Sequence, residues 1–174
     1  MSVKAKSVYA HKLASLAVLG LSFKPINAQD FVFLKDVYRS TREEELEQTG
    51  WDEEQKTEFV GMQFEAQHSH YQRHYPDADW LIIKRKKKKI GRLYIEEWPS
   101  ELRIIDIALL PAVRGNGLGK AILENLMSTA AERDKTVGIH VEKNNSAMGL
   151  YQKLGFTKTE DKGVYDLLHW RRET

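Results

Sequence analysis

Apolar residues recur along this chain with two periods, and the places where the period changes divide it into elements. After Asn27 and Asp30, which have the spacing of a helix cap, Phe31, Leu34, Val37 and Tyr38 fall at helical intervals. The acidic stretch 42–48 reads as a solvated continuation of that helix. Thr49-Gly50-Trp51-Asp52 restarts a helix in capping-box style, expected to run to about Tyr75, with Pro76 just beyond. Residues 80–84 and 90–95 are strand-like, and the basic run 84–89 between them reads as a hairpin tip. Trp98-Pro99-Ser100 reads as a turn, and 102–110 is a mostly apolar strand suited to the middle of a sheet. The stretch 118–133 is amphipathic with helical period, 137–141 is a buried strand, 147–154 a short helix and 164–170 a last strand. Together these predict an α/β layer fold with a mixed sheet.

A length of 174 residues suggests one domain. It is read as a short extension over 1–18 followed by the domain itself over 19–174, whose first strand is expected near 19–24. The apolar stretch 13–21, preceded by Lys4, Lys6 and Lys12, has some look of a signal-peptide core. Lys24 and Pro25 interrupt the approach to a cleavage site at Ala28, and cleavage there would remove the first strand. The expectation is therefore a cytoplasmic protein with no membrane span. Zero cysteines exclude a disulfide scaffold, cysteine-ligated zinc and thiol catalysis. A net charge of +2, with 30% charged residues, gives no global case for nucleic acid.

The most informative stretch is Leu110-Pro111-Ala112-Val113-Arg114-Gly115-Asn116-Gly117-Leu118-Gly119-Lys120, where a buried strand ends, a glycine-rich loop follows and a helix begins. Glycines allow close backbone approach to a ligand, and the amides at a helix N-terminus favour an anion. The stretch thus predicts a pyrophosphate cradle. The loop does not fit the phosphate-binding pattern of nucleoside triphosphatases, because Ala121 follows Gly119-Lys120 and position 114 is not glycine. Nor does it fit a dinucleotide fingerprint, which needs a different glycine spacing early in a parallel βαβ unit.

Arg114-x-x-Gly117-x-Gly119, after the strand ending Ile107-Ala108-Leu109-Leu110-Pro111, resembles the acyl-coenzyme A loop of the GNAT superfamily of N-acetyltransferases. A second block, Asn144-x-x-Ala147-x-x-Leu150-Tyr151-x-x-Leu154-Gly155-Phe156, is similar to another motif of that family and follows with one helix and one strand between. The resemblance covers about 19–170. Its earlier half looks like one bacterial branch, through Tyr38-Arg39-Ser40-Thr41-Arg42, Thr49-Gly50-Trp51 and Met62-Gln63-Phe64-Glu65-Ala66-Gln67. What it implies is a mostly antiparallel central sheet of about six to seven strands with helices on both faces. A parallel pair, 102–110 and 137–141, would splay apart to hold acetyl-coenzyme A.

The resemblance also implies roles. Backbone groups of Ala108, Leu109 and Leu110 would bind the acetyl carbonyl and the pantetheine arm, and the amides of Arg114, Gly115, Asn116, Gly117, Leu118, Gly119 and Lys120 the pyrophosphate. Asn144 would contact the pantetheine arm. Tyr151 matches the usual general acid, and a phenol of pKa about 10 suits protonation of a thiolate. Asp106 is the first choice for general base, since alternation from Ala108 could bring it beside the acyl site. Gln63, Gln67 and His68 on the long helix could touch the acceptor. The implied activity is acetyl transfer from acetyl-coenzyme A directly to an amine of a small molecule, peptide or protein, in a protein that could form a homodimer. A catalytically silent GNAT-fold module that binds acyl-coenzyme A or a protein partner is the alternative. His70 and His74 have i, i+4 spacing without an evident third ligand, so no metal is expected. The run 84–89 lacks interleaved aromatics and reads as a solvated tip rather than a nucleic-acid surface, although it could steer the coenzyme's phosphates or an acidic substrate.

Overall fold

The computed structural model describes residues 8–174. Seven strands form one sheet in the order β1-β2-β3-β4-β5-β7-β6: β1 Leu21–Pro25, β2 Asp79–Arg85, β3 Lys88–Glu97, β4 Glu101–Leu109, β5 Thr136–Glu142, β6 Thr157–Lys162 and β7 Tyr165–Trp170. Every neighbouring pair is antiparallel except β4 with β5. Helices cover both faces, as expected for this mixed α/β architecture. Among the described residues no helix is long and apolar enough to cross a membrane.

One face is aliphatic. Leu81, Ile83, Leu93, Ile95, Leu102, Ile104, Val137 and Ile139 meet Leu118, Ile122, Leu123 and Leu126 of helix α5, Leu118–Glu132. Tyr9 of helix α1, Val8–Lys12, and Leu13 and Leu16 of the 3-10 helix Leu13–Leu19 complete this layer. The described part of the segment read as an extension thus packs into the core, while Lys4 and Lys6 lie outside the described residues. The apolar spacing of Tyr9, Leu13 and Leu16 is helical, which accounts for the shared buried face.

The other face carries helices α2 Phe31–Ser40, α3 Glu43–Glu47 and α4 Glu53–His74, with a mixed aromatic and aliphatic core of Leu34, Tyr38, Leu46, Phe64, Ile82, Tyr94 and Ile105. The Asn27 cap read from sequence is in place, whereas the second capping box begins three residues later than Thr49, at Asp52. Asn27 Oδ1 accepts from the Gln29 N–H and Asp30 Oδ2 from the Asn27 N–H, each at 2.9 Å. Asp52 and Gln55 exchange bonds of 2.8 and 3.1 Å at the start of α4. The acidic stretch differs from expectation. It is a separate helix because Leu46 turns into the core. The hairpin tip is also tighter than expected, only Lys86 and Lys87, so the basic run belongs mostly to the two strands. The last helix is α6, Met148–Lys153.

Candidate functional site

Two irregularities of β4 build the site. The first is a bulge against β3: Ile95 pairs with Ile104 but Tyr94 with Asp106, so Ile105 is an extra residue. Before the bulge, Leu102 and Ile104 face the aliphatic core. After it, Ile107 and Leu109 do, and the phase has shifted by one. Ile105 and Asp106 therefore both turn toward α4. The second irregularity lies on the other edge. β4 and β5 pair only from Glu101 with Thr136 to Ile104 with Ile139. Beyond that point 105–109 and 140–142 face each other without a ladder, so backbone hydrogen-bonding groups are open to a ligand.

Gly91 seats the far end of β4: a Cβ there would lie 2.2 Å from the Ala108 carbonyl oxygen. The chain then turns through Pro111–Val113, and the Val113 and Arg114 N–H groups bond back to the carbonyls of Leu110 and Pro111. The Arg114 amide is thereby spent, and its side chain closes the turn through Nε to the Leu109 carbonyl at 2.9 Å. The run of backbone amides without a partner among the described residues begins at Gly115. Gly115 and Gly117 have φ of 82° and 75°, which disfavours any side chain, and a Cβ on either would meet nothing within 4 Å. Gly117 is the N-cap of α5, so no side chain satisfies the amides of Leu118, Gly119 and Lys120. Donors that converge on open space at the start of a 15-residue helix fit a phosphate group.

Tyr151 comes from α6 on the aliphatic side and is 4% exposed, with its ring edge-on to Phe156. Burial, and then the negative charge of Asp106, raise its phenol well above the ordinary tyrosine value. Asp106 is held from the α4 side. Its Oδ2 accepts from Arg92 Nη2 at 2.8 Å and from the Tyr71 hydroxyl at 3.1 Å. Arg92 also donates to Gln67 Oε1 at 2.9 Å. Burial opposes the charge on Arg92, but Asp106 outweighs it and raises the guanidinium above its usual pKa. Burial and Asp106 likewise raise Tyr71, and burial pushes Tyr94 up to about 12. Both bonds to Asp106 fall on Oδ2, and Oδ1 accepts none from the described residues.

The acceptor candidates separate. Gln67 joins the Arg92 network, and Gln63 is exposed on α4. His68 is buried between Phe31 and Phe64, and burial lowers its pKa, so it belongs to the core of this face. His70 and His74 stack on the exposed side of α4 at 4.0 Å. Asn144 lines a cleft of about 510 Å³ together with Arg42, Glu45, Glu142, Lys143, Val164 and Tyr165. Across it Arg42 Nη2 bonds Glu142 Oε1 at 2.6 Å, tying the α2–α3 junction to the end of β5. Sequence reasoning missed Arg92, Arg42 and Glu142. The available signal for Arg92 was a lone arginine inside an apolar strand, two register positions from a lone aspartate in the next.

The model of the Acetyltransferase (GNAT) family matches residues 37–156. Among curated proteins, the chain is 31% identical over 93 residues to the peptidyl-lysine N-acetyltransferase YjaB of Escherichia coli, covering 53% of this chain and 58% of that enzyme. It is 30% identical over 86 residues to the ribosomal protein bS18-alanine N-acetyltransferase of Haemophilus influenzae, covering 49% and 59%. The matched stretch thus spans under two thirds of either relative. Among solved structures, the PaiA N-acetyltransferase of Thermoplasma acidophilum in complex with coenzyme A superposes with a TM-score of 0.64 at 15% identity, over 87% of this chain and 99% of that one. A GNAT-family acetyltransferase of Elizabethkingia anophelis with acetyl-CoA bound superposes with a TM-score of 0.55 at 15% identity, over 88% and 99%. At these identities the likeness is one of fold.

Proposed function

We take as premise that this chain belongs to the acetyltransferase (GNAT) family, and on it we propose that the protein transfers an acetyl group from acetyl-coenzyme A directly to an amine. The observation that carries this reading is the parallel pair that opens past Ile104 and Ile139 immediately before an uncapped, glycine-lined helix start. An extended pantetheine arm fits the gap, and a pyrophosphate fits the amides that follow Gly115. The cosubstrate supplies an activated thioester. Every other demand falls on this chain's residues.

In this reading the amides from Gly115 to Lys120 hold the pyrophosphate, and the unladdered backbone of Ala108, Leu109 and Leu110, with Asn144, aligns the arm and polarises the acetyl carbonyl. The acceptor nitrogen attacks that carbonyl carbon, the carbon–sulfur bond breaks, and the Tyr151 phenol gives its proton to the departing sulfur. A phenol kept protonated by burial is suited to that role. The proton lost by the amine passes through water to Asp106 Oδ1, the carboxylate oxygen that accepts no bond from the described residues, and from there to solvent. The absence of cysteine leaves no thiol to carry the acetyl group between partners. The cleft between Arg42, Glu142 and Tyr165 is the proposed entry for the acceptor.

Calorimetric titration with acetyl-coenzyme A, followed by thiol release with a panel of amines, tests the proposal. Gly117→Val should weaken coenzyme binding at least tenfold, since a β-branched side chain at φ of 75° is strained and fills the cradle. Tyr151→Phe should lower kcat roughly 100-fold with coenzyme affinity unchanged. Because the phenol is raised, the rate should not fall through its ionisation up to about pH 10. Coenzyme binding without turnover of any amine would point to the silent module instead.

A further inference from the structure

The basic hairpin tip is built at the expense of its own stability. Lys86 and Lys87 hold φ at 47° and 71°, left-handed values that two-residue hairpin turns ordinarily assign to Asn-Gly. Below them Arg85 pairs with Lys88 and Lys84 with Lys89, like charges set directly opposite each other. Lys89 is neutralised by Asp30 at 2.6 Å. Lys84, Arg85, Lys86, Lys87 and Lys88 have no ion-pair partner among the described residues, and Arg85 Nε is buried without a hydrogen bond. Several local penalties at one place are the mark of a segment kept for what it does rather than for how it folds.

The position of the tip says what that is. The Leu110 N–H bonds the Ile90 carbonyl at 2.8 Å, so the tip overhangs the same end of the sheet from which the cradle loop springs. At about 3.3 Å per residue, Lys87 stands roughly 10 Å beyond that bond. The Lys86 N–H bonds the Gly20 carbonyl at 3.0 Å, where the 3-10 helix that packs on α5 ends. The tip is therefore tied, through the β1 edge, to the segment that packs on the helix whose N-terminus presents the cradle amides. It carries no aromatic side chain for stacking on bases. Hydrated lysine charges on a turn suit attraction at a distance better than a fixed contact.

We infer that the 84–88 tip is an electrostatic guide that captures the phosphates of the coenzyme and delivers them to the α5 cradle, without holding them once bound. The inference rests on the acetyl-coenzyme A reading above. Charges near a site but outside it raise association rates in proportion to how little salt screens them, and leave dissociation alone.

The test is stopped-flow binding of coenzyme A to the wild-type chain and to a Lys86→Asn/Lys87→Gly/Lys88→Thr variant. That variant supplies the residues the turn prefers and removes a like-charge pair, so its Tm should rise, and slower binding cannot be blamed on poor folding. The association rate should fall about three- to tenfold at low ionic strength, with the gap closing in about 0.5 M salt and the dissociation rate unchanged. An unchanged association rate at low salt would overturn the inference, as would a faster dissociation rate, which would make the tip a direct contact. Tip-dependent binding of a duplex oligonucleotide at physiological salt, with coenzyme association unaffected, would reassign the tip to nucleic acid. If the wild-type chain binds no coenzyme at all while folded, the underlying reading fails and this inference goes with it.

Discussion

On the α5 side of the sheet, Leu93, Ile95, Ile104 and Ile139 meet leucines and isoleucines, with little that needs a hydrogen bond. On the α4 side the same strands present Arg92 and Asp106, which pair with each other and find further partners in Gln67 and Tyr71. The aliphatic face gains its stability from area removed from water, which tolerates small shifts. The polar face depends on groups that cost little when all are paired and a great deal when one is missing. The difference matters for the proposed chemistry, because the proposed cradle hangs from the tolerant face and the proposed proton path runs through the exacting one.

The largest effect should come from breaking the exacting face. Asp106→Ala leaves Arg92 buried and uncompensated, and urea denaturation should show a loss of about 3–5 kcal/mol. Replacing both, as Arg92→Met/Asp106→Leu, should recover most of that loss while still abolishing turnover. A double variant as unstable as the single one would mean the pair is not what this face depends on. Leu126→Ala, fully buried on the aliphatic face, should cost about 3 kcal/mol through the cavity alone, with no partner deletion able to restore it.

The smallest effect sharpens the comparison at the sheet's edge. Asp30 is 1% exposed and binds Lys24 and Lys89 at 2.6 Å each. Burial alone would raise its pKa, but the two ammonium groups and the Asn27 N–H outweigh it and hold the carboxyl at about 2, against an ordinary 3.8. Its contribution is therefore complete above about pH 4 and is lost as pH falls through about 2. Asp30→Asn should cost about 1–2 kcal/mol at neutral pH and flatten the acid limb of stability in that window. An unchanged acid limb would show that the Asp30 pairs are not closed in solution.

The same division decides what the sequence makes legible. The cradle stretch can be read directly because its geometry is local: contiguous glycines, a preceding apolar strand and a following amphipathic helix. The cap residues Asn27 and Asp30 are legible for the same reason. Strand β6 is not, because all six of its residues are exposed and polar and show no alternation. The Arg42–Glu142 bond joins positions 100 apart, and no local pattern announces it. Ile105 is the subtlest case, since a bulge leaves no trace in composition and yet decides which face every later side chain of β4 occupies.

That single extra residue makes the strand's chemistry a matter of counting rather than of identity. Many replacements of Ile105 by another apolar side chain leave the phase of β4 intact, and its removal would restore plain alternation with Asp106 still toward α4, whereas one residue inserted between Ile105 and Asp106 would turn Asp106 into the aliphatic layer. Lineages of this chain can therefore drift in sequence along β4 while being nearly forbidden to change its length. An insertion or deletion scan across 101–109 would meet a far narrower tolerance than a substitution scan of the same residues.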